Sequence, residues 1–133
     1  MNSSLASYVA VALGAAAGGV LRYAITMAFV ARFGPGLPLG TFFINLSGSF
    51  LIGLIAELSL TRALGIGPLV RLALTVGVLG GYTTFSSFSF EALTLTGERE
   101  NWLALAYAVA SVVLGVGLCY SGVVLARLMV RPA

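Results

Sequence analysis

The residues with the clearest chemical potential stand together, for Gly80, Gly81, Tyr82, Thr83, Thr84, Phe85, Ser86, Ser87, Phe88, Ser89, Phe90 and Glu91 follow one another inside a long apolar run. Paired glycines followed by five hydroxyl residues in the seven positions from Thr83 to Ser89 weaken a helix. Glycine restrains the backbone least, and Ser and Thr side chains compete for backbone partners. At membrane depth such a break is tolerated only where protein buries it or it lines a watery cavity. The carbonyls and amides it exposes are ready ion ligands, so the segment is a candidate ion site. The competing reading is a kinked packing helix whose hydroxyls bond to their own backbone.

Other polar groups fall at comparable depth. Phe85 and Phe88 are three apart and share a helical face, where the positive edge of a ring can meet a partly dehydrated anion. Alone, two such residues read as core or lipid-facing; the hydroxyls around them, Thr84 and Ser87 included, shift the reading toward an anion path. Asn45 brings an amide with two donors, and Tyr107, Ser111 and Gly115 at i, i+4 and i+8 form one stripe with two hydroxyls and a gap. Hydroxyl donors suit a small hard anion, although each group also has the simpler use of bridging helices. Arg22 is costly in hydrocarbon and must snorkel, pair or face water, for example at an aqueous vestibule that attracts anions. Glu57 and Glu91 read as acids that reach an interface or pair with an arginine.

Much other chemistry is excluded. The chain has no Lys, His or Asp, so seven Arg and four Glu carry every charge. A His-based triad, a Cys/His zinc site and a paired-Asp acid–base site are all unavailable, and no enzyme activity is expected. The single Cys119 lies in an apolar run and reads as a small buried hydrophobe. The arginines are spread singly, so the net charge of +3 points to membrane topology and not to nucleic acid.

The elements that must position these groups are membrane spans. Of 133 residues 59% are hydrophobic and 8% charged, and the mean hydropathy is +1.07, which places the chain in lipid. A bilayer core of about 30 Å takes roughly 20 apolar residues per helix. Four runs fit, at about 5–30, 39–60, 69–95 and 102–129, separated by charges or Gly/Pro clusters. The third is expected to break near the midplane. With short connections, residues 1–133 form one transmembrane domain, and the first run, which no positive residue precedes, reads as a retained helix. Gly14 with Gly18, and Gly77 with Gly81, make small faces for close packing. A bundle this thin needs a second copy to enclose a pathway. Arg62, Arg71, Arg127 and Arg131 fall on one side, against Arg32, Arg99 and, deep in the first span, Arg22. That weak bias leaves two readings, a single orientation with the N-terminus inside, or dual topology with antiparallel pairing.

Taken together, these residues resemble the Fluc (CrcB) family of fluoride channels. The likeness lies in Gly80–Ser89, in Gly40-Thr41-Phe42-Phe43-Ile44-Asn45-Leu46-Ser47-Gly48, in an arginine late in the first span, and in the length and four-span layout. The resemblance implies an all-α, antiparallel, dual-topology homodimer in the cell (inner) membrane, with two pores lined by both subunits. By the same resemblance Phe85, Phe88 and Asn45 line the fluoride path with Thr84 and Ser87. Arg22 matches the vestibule arginine, and Tyr107 and Ser111 match a polar track in the fourth helix. Gly80 and Thr83 match positions whose backbone carbonyls hold a structural Na⁺ at the dimer interface. Gly115 departs from members that carry Ser there. The implied activity is passive fluoride export that relieves fluoride toxicity. The rival class, small multidrug transporters that exchange protons for cations, relies on a glutamate in the first helix, where this chain has Arg22 and no acid.

Overall fold

In the computed structural model, which describes residues 5–61, 63–97 and 101–130, regular structure is entirely helical among the described residues. In chain order the helices are α1 (Leu5–Phe33) and α2 (Leu39–Leu60), then α3 (Pro68–Leu72), a π-helical stretch (Ala73–Leu79), a single turn α4 (Gly80–Tyr82), α5 (Phe85–Gly97) and α6 (Asn101–Val130). Helices α1, α2 and α6, and the composite third span Pro68–Gly97, are each long and apolar enough to cross a bilayer. Arg62, Arg99 and Arg131, three of the arginines weighed for orientation, lie outside the described residues.

The ends follow from local chemistry. Helix α1 runs past the expected Val30 to Phe33, because the stop is set by Gly34 at φ +81°. Its N–H donates to the Val30 carbonyl at 2.9 Å, a left-handed cap that a residue with a Cβ would adopt only under strain. Pro68 opens α3 at its first position, where a missing N–H costs nothing.

The third span breaks at Thr83 and Thr84, halfway along its 30 residues. Above the break, the π-helical stretch and α4 pack on α1; below it, α5 leaves α1 and packs on α6. The break is therefore a change of packing partner. The glycine pairs make the upper contact possible, since a Cβ on Gly14 would come within 2.9 Å of Gly77 Cα, and one on Gly18 within 2.8 Å of the Tyr82 backbone nitrogen. Gly81 lies in the same way against Ala15. Helices α2 and α6 form the most extensive pair, where Gly53 abuts the Cys119 backbone and Gly122 abuts Phe50 and Leu54. With no hydrophobic drive between helices in lipid, such backbone approach supplies the van der Waals contact that holds them.

Little is left for a core. Ile44 is fully buried with Leu79 and Tyr82 around it, and Leu95, Ala104 and Tyr107 form a second cluster where α5 meets α6. Most other large apolar side chains are exposed on the single chain, as lipid-facing residues must be.

Gly18→Ala is expected to lower stability by about 1–3 kcal/mol through overpacking against Val78 and Tyr82. Gly117→Ala, with nothing within 4 Å of the added methyl, is expected to leave stability unchanged or slightly raised. Equilibrium unfolding in mixed detergent micelles measures both.

Candidate functional site at the helix break

Thr83 is extended at φ −78° and ψ 158°, so the chain leaves the helix there, and its backbone groups need partners that lipid does not offer. Asn45 on α2 supplies them. Its Oδ1 accepts from the Thr84 N–H at 2.8 Å while its Nδ2 donates to the Thr84 carbonyl at 2.9 Å. Thr84 then caps α5, because its Oγ1 accepts the Ser87 N–H at 3.2 Å and also donates to the Ser87 hydroxyl at 3.0 Å. In an uninterrupted helix the Thr84 and Ser87 N–H groups would serve the Gly80 and Thr83 carbonyls four residues earlier. Here they are diverted to Asn45 and to Thr84 Oγ1, so both carbonyls lose their helical donors. Gly80 is exposed on the chain's surface.

Beside the break lies a cavity of about 360 Å³. Its lining includes Asn45, Thr84, Phe85, Phe88 and Ser111, together with Gly80 and Thr83. The Phe85 and Phe88 rings are tilted at 45° with centroids 5.5 Å apart, and Phe88 meets Tyr107 in the same way at 5.4 Å. Phe85 is 77% exposed on the single chain, so the cavity opens to whatever lies alongside. The Ser111 hydroxyl is buried with no hydrogen-bond partner among the described residues.

A second cavity, of about 260 Å³, gathers Arg22, Thr26, Thr41, Thr84, Ser87 and Glu91. Thr84 lines both spaces. The Glu91 carboxylate accepts from the Thr41 hydroxyl at 2.7 Å and from the Tyr107 hydroxyl at 2.9 Å, tying α5 to α2 and α6. Arg22 lines this cavity with its Nε buried and unpartnered among the described residues, and it forms no ion pair with Glu91. Glu57 pairs instead with Arg127 at 2.9 Å, near the far ends of α2 and α6.

The residues singled out in the sequence thus divide between two spaces. Asn45, Phe85, Phe88, Ser111, Gly80 and Thr83 meet at the first; Arg22 and Ser87 meet at the second. Tyr107 faces Glu91 and the aromatic cluster, so its hydroxyl is already committed. Sequence reasoning missed Thr41 as the partner of Glu91 and Asn45 as the clamp on Thr84. The one available signal was Glu91 itself, an acid in an apolar run that needs a donor, but its donors stand 50 and 16 residues away. Several span hydroxyls do bond back into their own helix, Ser89 to the Phe85 carbonyl and Thr83 to that of Leu79. Bonding to the backbone and lining a cavity therefore coexist in this segment.

Fold and site define a multi-pass helical membrane protein whose third span is broken midway beside cavities that a few polar groups line, the make-up of proteins that carry ions. In a bacterium that places it in the inner membrane. The chain belongs to the family described as "CrcB-like protein, Camphor Resistance (CrcB)", which it matches over residues 9–123. It is 46% identical over 120 residues to the "Fluoride-specific ion channel FluC" of Rhizobium meliloti, a match covering 90% of this chain and 95% of that protein. A protein of the same name from Thermus thermophilus is 50% identical over 115 residues, 86% of this chain and 90% of its own length. That of Solibacter usitatus is 45% identical over 120 residues, covering 90% and 98%.

Asn45→Ala is expected to orphan both Thr84 backbone groups, at about 1–3 kcal/mol for each buried group left unpaired. Hydrogen exchange at the Thr84 amide should speed up accordingly. Asn45→Gln, one methylene longer, should not restore protection.

Proposed function

We propose that this protein is a fluoride-selective channel through which the anion leaves the cell passively and electrogenically, relieving fluoride toxicity. The observation that carries the reading is the cavity of about 360 Å³ at the helix break, where an amide, a buried unpartnered hydroxyl and two phenylalanines converge. The relatives named as fluoride-specific channels support the choice of ion. Fluoride holds its water strongly, so a path must replace that shell with donors while binding weakly enough for release. Ser111 offers a free hydroxyl, and the second Nδ2 hydrogen of Asn45 remains after the clamp is made. Ring edges of Phe85 and Phe88 add a weak positive field. The N-terminus of α5 begins at the cavity wall and favours negative charge. Arg22, with a buried donor unmatched, draws anions toward the second space.

Two copies inserted in opposite directions complete the path in this reading. Its support is the exposure of Phe85 and Gly80 beside the open cavity, and a core too thin to enclose a route within one chain. The Gly80 and Thr83 carbonyls, freed of their helical donors, fit a structural Na⁺, and four such carbonyls from two chains would hold it. A bound cation would lower the electrostatic barrier to an anion in a low-dielectric centre.

The test uses liposomes holding only the purified protein, with a K⁺ gradient and fluoride and chloride measured in parallel. Expected is fast fluoride efflux that requires valinomycin, excludes chloride and falls at least about tenfold in Phe85→Ile, a barrier rise of roughly 1.4 kcal/mol. No fluoride efflux from verified, folded protein would overturn the proposal.

A further inference from the structure

Many hydroxyls in the membrane spans are already committed to partners. Ser59, Thr75, Ser89, Thr94 and Ser121 each donate to the carbonyl four residues earlier, so their polarity is spent within their own span. Ser49 and Ser111 do not. The Ser111 oxygen is buried without a partner, and Ser49 makes no hydrogen bond among the described residues. Both line the cavity at the helix break.

Their placement follows from helix geometry. Asn45 and Ser49 stand four apart on α2, and Ser111 and Gly115 stand four apart on α6, so each pair shares one face. The two helices pack against each other along their length. Gly115 opens the space opposite Ser49: a Cβ built there would meet only the Ser49 Oγ, at 3.6 Å, an ordinary van der Waals distance. Ser49 therefore occupies the place beyond Ser111 where the α6 stripe carries no side chain.

Resting on the fluoride reading, we propose that Ser49 is a further ligand of the permeating anion, one step beyond Ser111, and that α2 supplies across the groove the hydroxyl that α6 lacks at Gly115. The buried Ser111 hydroxyl is costly without a partner, and an anion that accepts from it removes that cost, while the half-buried Ser49 hydroxyl stands uncommitted beside it. A chain of such donors, Asn45 with Ser111 and then Ser49, carries the ion between sites without a fully dehydrated gap.

The test compares fluoride efflux from liposomes for wild type, Ser49→Ala, Gly115→Ser and the double variant, each first shown by size-exclusion chromatography to match the wild-type assembly. Expected is a loss of about tenfold or more in Ser49→Ala, with recovery to within roughly threefold of wild type in the double variant, because the serine at 115 restores a hydroxyl from the opposite wall. Ser121→Ala, which removes a hydroxyl bonded within its own helix, should conduct as wild type does. Unchanged efflux in Ser49→Ala overturns the inference while leaving the channel reading intact. A loss that Gly115→Ser fails to repair overturns it too, since a packing role for Ser49 predicts that result. No fluoride efflux from wild type overturns the channel reading and this inference with it.

Discussion

Two hydrogen bonds between the Asn45 amide and the Thr84 backbone hold the rest of this structure in place. A helix interrupted in lipid leaves donors and acceptors that no solvent will satisfy, and each is costly unless protein pairs it. One side chain answers an N–H and a C=O of the same residue at 2.8 and 2.9 Å, and Thr84 Oγ1 answers the next free N–H. With those groups matched, the third span can change direction and partner at its middle. Without them both Thr84 backbone groups would stand unpaired at membrane depth.

The same economy of partners separates the polar groups that hold the fold from those that are free. Glu91 is an acid at membrane depth, and it is quiet because Thr41 and Tyr107 both donate to it. Ser89 and Thr83 turn to carbonyls four residues back in their own span, and Ser47 shares a hydrogen bond with the Tyr82 hydroxyl. Among the described residues, the buried side-chain donors left unmatched are Arg22 Nε and the Ser111 hydroxyl, and both residues line cavities. In a medium that penalises every unpaired donor, the unpaired ones mark where an ion or water is accommodated.

Glycine contributes space of two kinds. At Gly14, Gly18, Gly77 and Gly81 the missing side chain brings α1 and the third span into backbone contact and leaves no void. At Gly115 it does the reverse, leaving room against Ser49 at the cavity wall. The residue type is the same, and the neighbour across the interface decides its use.

The sequence by itself determined the spans, because a bilayer demands a fixed length of apolar chain and charges and Gly/Pro clusters mark where each run ends. It also located the break, since paired glycines and successive hydroxyls weaken a helix wherever they occur, and it singled out Asn45, Phe85, Phe88 and Ser111 by polarity or ring chemistry within apolar runs. These are local properties, readable over a few residues. It did not determine partners. Periodicity places Asn45 on a face of α2, yet only the packing of α2 against the broken span shows that its amide grips Thr84. Likewise Glu91 finds its donors 50 and 16 residues away, and Gly115 acquires meaning only opposite Ser49. Tertiary structure decided these matters for one physical reason: hydrogen bonds and contact distances depend on positions in space, and residues far apart in the chain meet only after the helices have chosen their neighbours.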